Sequence, residues 1–255
     1  MASKKIIINI GSSELAACVG LNPYKKPSEV FVSILAKYFP ERGIQTDAQK
    51  AKALLENNAL GNELEKELKE KAGTINPETL QQKVKEAQTK LQSSFSGKDK
   101  ELVNSYLQST ANTIQGTKCE DDTAQRLKEQ GVCTQLVEDH TFYRMPILES
   151  SGLVFQLVGR IDRIDIQEDG TKTLIEIKNR ARKLFGEVKD YEEVQVQAYL
   201  QLLNLQQAKL VEQYPKTNSM NVFSIQRDQE RWDTELFPKL VAFCESAEET
   251  IQGKE

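Results

Sequence analysis

The segment GRIDRIDIQEDGTKTLIEIKNR, residues 159–180, constrains this chain more than any other stretch. Two β-branched runs flank Glu168-Asp169-Gly170, and a three-residue loop ending in glycine is a common hairpin connection in which the glycine takes the left-handed position. That loop fixes a register in which Gln167 faces Thr171, Ile164 faces Leu174 and Asp162 faces Glu176. Strand side chains alternate, so Asp162 and Glu176 stand side by side on one face and Lys178 points the same way. A two-residue loop would set Asp162 opposite Ile177 and send the two acids to different faces. Two carboxylates about 5 Å apart at an effective dielectric near 20 repel by roughly 3 kcal/mol. A divalent cation reverses that sign, and oxygen ligands suit Mg²⁺ or Mn²⁺. Lys178 would then lie beside a water, where it could orient or deprotonate it, or neutralise charge building on a phosphate.

A chain of 255 residues can bury a substantial core without disulfides or a structural metal. No apolar run approaches the roughly 20 residues of a membrane span, which argues against a membrane partner. The N-terminus has only Ile6 to Ile8 as an apolar run, short of the roughly 7–15 residues of a secretory signal, so an intracellular setting, cytoplasmic or nuclear, is expected. Cys18, Cys119, Cys133 and Cys244 are widely spaced, without a CxxC pair, and read as reduced fillers. Lys plus Arg number 34 against 38 Asp plus Glu, a net charge of −4, so any contact with a polyanion needs a local basic patch.

Along the chain, a strand at Lys5–Ile10 precedes helical stretches at Glu14–Val19 and Pro27–Tyr38. Residues 41–115 shift to Lys, Glu, Gln, Asn and Ala with apolar residues at helical spacing, as in Leu60, Leu64 and Leu68, and predict an all-helical insertion with a solvated charged face. Beyond Gly116 the pattern predicts a helix at 117–130, strands at 134–143, 153–166 and 172–178, a long helix at about 189–212, a strand at 221–225 and a last helix at about 234–252. The expected fold class is α/β, a mixed β-sheet flanked by helices, in one domain spanning 1–255 with the insertion at 41–115 inside it. Glu120 shares a helical face with Ala124 and Leu127 and offers a third inward acid. Gln195 and Tyr199, four apart on the long helix, share a face, and Gln197 is two residues from the first.

In that order, Gly116-x-x-x-Glu120, Gly159-x-x-Asp162, Ile175-Glu176-Ile177-Lys178 and Gln195-x-x-x-Tyr199 resemble the PD-(D/E)XK nucleases of the RecB and YqaJ type, which include the lambda-type alkaline exonuclease. Gly11-Ser12-Ser13-Glu14-Leu15-Ala16-Ala17 and Gly20-Leu21-Asn22-Pro23-Tyr24 look like the opening segment of the YqaJ-type enzymes. The resemblance covers about residues 8–38 and 116–250 and leaves the helical stretch unexplained; Ile161 stands where the family name expects proline. It implies a restriction-endonuclease-like fold and in-line hydrolysis of a phosphodiester. Asp162, Glu176 and the Ile177 carbonyl would bind Mg²⁺, Glu120 would help hold a second ion, and Lys178 would activate water. Gln195 or Gln197 would contact the terminal phosphate or scissile region, with Tyr199 beside them, and Ser12 or Ser13 a DNA phosphate.

The activity implied is that of a Mg²⁺-dependent exonuclease on duplex DNA ends in recombination or repair, of phage or viral origin. A structure-specific endonuclease and an inactive DNA-binding scaffold are the alternatives. A single-strand annealing protein and further copies of the chain are the implied partners. The basic run Arg180, Arg182 and Lys183 beyond the acids, with Lys25 and Lys26 near the N-terminus, suits a DNA path. Asp165, on the opposite face from Asp162, is expected to be solvated, His140 to be structural or exposed, and Trp232 to pack the last helix. With only Cys244 near the C-terminus, no iron–sulfur cluster is expected.

Overall fold

The computed structural model describes residues 5–70, 77–150 and 152–253, so residues 71–76 of the expected insertion lie outside the described residues. Strand β1 (Ile6–Gly11) leads through a 3₁₀ turn (Ser12–Glu14) into α1 (Leu15–Cys18) and α2 (Pro27–Tyr38). Then come α3 (Asp47–Glu56), α4 (Ala59–Glu70), α5 (Pro77–Lys90) and α6 (Gly97–Glu129). Strands β2 (Gln135–Glu138), β3 (Tyr143–Glu149), β4 (Leu153–Gly159), β5 (Arg163–Ile166) and β6 (Lys172–Asn179) follow. Helix α7 (Asp190–Leu203), β7 (Gln207–Tyr214), β8 (Ser219–Gln226), α8 (Gln229–Arg231), a π turn (Trp232–Leu236) and α9 (Phe237–Gln252) complete the chain.

These strands form two mixed sheets rather than the single sheet expected: β1-β4-β3 and β2-β5-β6-β7-β8. In the first, β1 runs parallel to β4, and Ile8, Ile10, Phe155 and Leu157 pack against Ala198 of α7 and Leu240 and Cys244 of α9. In the second, β6 runs parallel to β7 through α7, the crossover that a parallel pair requires. Helix α7 covers one face through Val196 and Leu200 against Leu174 and Leu210. Helix α6 covers the other through Ala124 and Leu127 against Ile175, Ile177 and Val211. Burial on both faces explains the near-continuous apolar run Leu174-Ile175-Glu176-Ile177, and makes its one acid conspicuous.

Four expected boundaries move. The strand predicted across 134–143 stops at Glu138, and β3, which was not expected, begins at Tyr143. The strand predicted across 153–166 is divided: β4 ends at Gly159, the chain bends over Arg160–Asp162, and β5 resumes in the other sheet. The helix predicted to about residue 212 stops at Leu203, where Asn204 takes the left-handed conformation (φ 52°, ψ 41°) that asparagine tolerates at a helix end. Gln207–Tyr214 becomes the strand between β6 and β8, its Ala208, Leu210 and Val211 buried in the sheet. Helix α6 runs unbroken through the expected insertion boundary at residue 115, so one rod joins the two parts. The helices of the insertion carry their own core, including Leu55, Leu68, Leu80, Val84, Leu91 and Leu107.

Gly159 is required by packing at the sheet switch. A Cβ there would meet Tyr199 Cε1 at 2.6 Å, Ser12 Oγ at 2.7 Å and Leu202 Cδ1 at 3.0 Å. Gly159→Ala should therefore destabilise the fold by about 2 kcal/mol through overpacking, read as a lower midpoint in urea with an unchanged slope. An unchanged midpoint would show that Tyr199 yields freely.

Candidate active site

The hairpin register is the one its three-residue loop predicts: Ile164 pairs with Leu174, and Gln167 N–H donates to the Thr171 carbonyl at 2.9 Å. Alternation along β6 then turns Leu174, Glu176 and Lys178 toward α7, whose residues Tyr191, Gln195 and Tyr199 recur every four positions on one side. Lys178 Nζ donates to Glu176 Oε1 at 2.7 Å and to Gln195 Oε1 at 3.0 Å. Gln195 Nε2 donates to Glu176 Oε1 at 3.1 Å and lies 3.2 Å from the Tyr199 hydroxyl, which is itself buried. The second carboxylate oxygen, Glu176 Oε2, is buried without a hydrogen-bond partner.

Asp162 sits in the bend rather than in the strand, and its Oδ2 accepts the Ile177 N–H at 2.8 Å, standing in for a backbone acceptor where β5 has not yet begun. Burial, then the neighbouring Glu176 carboxylate, push the Asp162 carboxyl up to about 8, against the pull of the Ile177 N–H. Burial alone would lower Lys178. Glu176, through its charge and its hydrogen bond, together with Asp162 and Glu192, outweighs it and holds the ammonium above its ordinary value. An orphaned carboxylate oxygen and a carboxyl reluctant to ionise are the two features a cation would reverse, and all the donors are oxygens. The site thus fits a hard divalent ion.

Glu120, expected to help hold a second ion, lies on α6 near enough for its charge to act on Asp162 and for that of Glu176 to act on it. Its carboxylate lies 3.5 Å from Arg163 Nη1. Burial raises the Glu120 carboxyl, Arg163 opposes the rise, and Asp121, Glu176 and Glu138 add to it. Four expectations are corrected. Ser12 is buried and its hydroxyl donates to the Val158 carbonyl at 3.0 Å, which leaves only the exposed Ser13 free to meet a phosphate. Gln197 faces away from Gln195: its Nε2 donates to the Gln226 carbonyl at 2.8 Å and its Oε1 accepts the Asp228 N–H at 2.9 Å.

Arg180 is buried and holds structure rather than DNA. Its guanidinium clamps Glu192 at 2.6 and 2.9 Å, donates through Nε to Glu212 at 3.0 Å, and stacks 3.9 Å over the Phe185 ring. Glu212 also accepts the Phe185 and Gly186 N–H groups and Asn221 Nδ2, each at 2.8 Å. Burial would raise Glu212, but these hydrogen bonds hold it below the usual carboxylate range. Asp165 is buried, not solvated, and caps the start of β2 by accepting the Thr134 and Gln135 N–H groups at 2.8 and 3.0 Å. Arg182 and Lys183 are exposed beyond the site, whereas Lys25 is paired with Glu14 at 2.7 Å. His140 is exposed beside Glu138, Trp232 is buried against Phe237, and the four cysteines are buried and form no disulfide.

Two residues near the site escaped the sequence reading. Arg163 donates to the Asp162 carbonyl at 2.8 Å and reaches Asp121 at 2.5 Å and Glu138 at 2.9 Å, bracing the bend against α6 and β2. The signal available was a cationic residue flanked by acids inside an otherwise apolar strand. Asn179 ties β6 to α6, donating to the Gly116 carbonyl at 3.0 Å with Thr123 Oγ1 2.8 Å from its Oδ1.

Among solved structures, one that matches over nearly the whole chain shows the same fold. An alkaline exonuclease, LHK-Exo, from Laribacter hongkongensis matches with a TM-score of 0.52 at 14% identity, covering 96% of this chain and 90% of that one. LHK-Exo in complex with dAMP matches at 0.38 and 18% identity over 68% and 82% of the two chains. A phage related exonuclease from Haemophilus somnus 129PT matches at 0.39 and 16% over 72% and 86%. A search of curated proteins gave no significant match. The family profile of the PD-(D/E)XK nuclease superfamily matches residues 36–252, a span that includes both acids, the lysine and the helical stretch. The chain belongs to the PD-(D/E)XK nuclease superfamily, with a restriction-endonuclease-like mixed α/β fold.

Proposed function

We propose that this chain is a divalent-metal-dependent deoxyribonuclease that hydrolyses phosphodiester bonds at the ends of double-stranded DNA, in recombination or repair. The observation that carries this reading is the buried Glu176 carboxylate, one oxygen shared by Lys178 and Gln195 and the other without a hydrogen-bond partner, with its charge acting on Asp162. Asp162, Glu176 and the Ile177 carbonyl would hold Mg²⁺ or Mn²⁺, which supplies Lewis-acid stabilisation of charge on the phosphate and a more acidic water. Glu120, from α6, would act at the rim of that pair, its position set by Arg163. In the metal-free site its carboxylate neighbours hold the proton on Lys178 Nζ. Lys178 would orient water or stabilise the phosphate charge as a donor. Gln195 fixes the Lys178 and Glu176 head groups through both ends of its amide. Preference for ends is supported by the likeness to an alkaline exonuclease over nearly the whole chain.

The test is incubation of linear duplex, with and without a 5′ phosphate, and of closed circular DNA with Mg²⁺, Mn²⁺ or EDTA. Linear DNA should be degraded with either ion, circles should survive, and EDTA should stop the reaction. Cut circles would assign an endonuclease instead, and binding without hydrolysis in every ion would assign a scaffold.

A further inference from the structure

Tyr24 is the most exposed large apolar side chain among the described residues, at 79%. A lone surface aromatic is ordinary, but this one is held in place and touches a residue one helical turn from the site. Its backbone is pinned on both sides. Asn22 Oδ1 accepts the Tyr24 N–H at 2.8 Å and the Lys25 N–H at 3.1 Å, and Pro23 restricts the bend. Immediately after, the Lys26 N–H is taken by Glu29 at 2.7 Å at the start of α2. The Tyr24 ring meets the Tyr191 ring edge to face, with centroids 5.7 Å apart at 84°. Tyr191 precedes Gln195 by one turn of α7, about 6 Å along the axis, and Gln195 touches both Glu176 and Lys178. Tyr199, Gln195 and Tyr191 thus follow one side of α7 from the buried Glu176, and Tyr24 extends that side to solvent through Tyr191.

The edge-to-face contact fixes the Tyr24 ring while its exposure leaves a broad face open, and an open, immobilised aromatic face is what an unpaired nucleobase stacks on. Lys26, exposed two residues on, offers charge for the adjoining backbone phosphate. We propose that Tyr24 is a nucleobase-stacking platform that seats a base at the DNA end while the strand enters the acid site. This deepens the nuclease reading and rests on it.

The experiment measures binding of a short linear duplex by fluorescence anisotropy, with Ca²⁺ in place of Mg²⁺, for the full chain and for Tyr24→Ala, Tyr24→Phe and Tyr24→Trp. The same duplex is then used with each of the three terminal nucleotides of either strand replaced in turn by an abasic residue. Tyr24→Ala should lose about 5- to 150-fold in affinity for the intact duplex, the size of one base–aromatic stack. At one abasic position the wild type should lose a similar factor and Tyr24→Ala should lose little more. Tyr24→Phe and Tyr24→Trp should bind the intact duplex within about threefold of wild type, since each keeps a stacking face. Equal losses for Tyr24→Ala on every duplex, or no loss on any, overturn the stacking role while leaving the nuclease reading standing. Failure of the wild type to bind any of these duplexes overturns both.

Discussion

Asp162→Asn is expected to abolish hydrolysis and, at the same time, to make the protein more stable. The two effects share one cause. Asp162 is half-buried near Glu176, so its carboxyl keeps a proton up to about 8, whereas in the unfolded chain it releases that proton near 3.8. Between those values the folded state binds a proton that the unfolded state has lost, so the stability of the wild type falls as pH rises through this window and levels off above it. Asparagine keeps an oxygen to accept the Ile177 N–H and carries no charge to desolvate. The wild-type and Asp162→Asn stabilities should therefore run together near pH 4 and separate steadily up to pH 8, with the Tm difference growing in step.

Activity should fall by about 10³-fold or more, because the group that would bear on the cation and the reacting phosphate is gone. Mg²⁺ or Mn²⁺ should raise the Tm of the wild type and leave that of Asp162→Asn nearly unmoved. Melting curves across pH 4–9, with and without either ion, check all three parts. A variant less stable than wild type at pH 8, or one retaining more than a tenth of the activity, would show that Asp162 is an ordinary structural acid.

The hairpin register was readable from the sequence because a hairpin is a local object: a loop of known length and a terminal glycine decide which residues face each other. The break at Asp162 was not, since it depends on the Ile177 N–H across the hairpin and on a change of sheet at Gly159, where Tyr199 and Ser12 crowd the backbone. Strand β7 hid for a similar reason. Gln-Gln-Ala-Lys-Leu continues a helical pattern, and only burial against β6 and β8 makes it a strand, a case of tertiary packing overriding local preference. Gln197 could have been separated from Gln195 by geometry alone, because helix residues two apart do not share a face. Arg180 could not: its partners Glu192 and Glu212 lie 12 and 32 residues away, and without them a basic run reads as a surface.

Lys178→Met provides the opposite stability result at the neighbouring position, and the pair of variants separates a catalytic site from a merely strained one. The methionine fills most of the same space and removes the charge. Glu176 then keeps only the Gln195 amide, with Asp162 still beside it, so a buried carboxylate is left without its counter-charge. Breaking such a pair costs about 3 kcal/mol, or roughly 6–12 °C, and Tm should drop by that amount.

In turnover, the variant loses a donor that stabilises charge developing on the phosphate, so kcat should fall by about 10²- to 10⁴-fold. Affinity for DNA should change only several-fold, since many backbone contacts share it. A cation bound between the acids would supply part of the missing positive charge, so the Tm of Lys178→Met should respond to Mg²⁺ more steeply than that of the wild type. Melting curves, single-turnover cleavage and anisotropy on the same preparations decide the matter. If Lys178→Met were as stable as wild type and cleaved DNA at the wild-type rate, the ammonium would have no part in holding the acids or in the chemistry, and the active site would have to be sought elsewhere on the sheet.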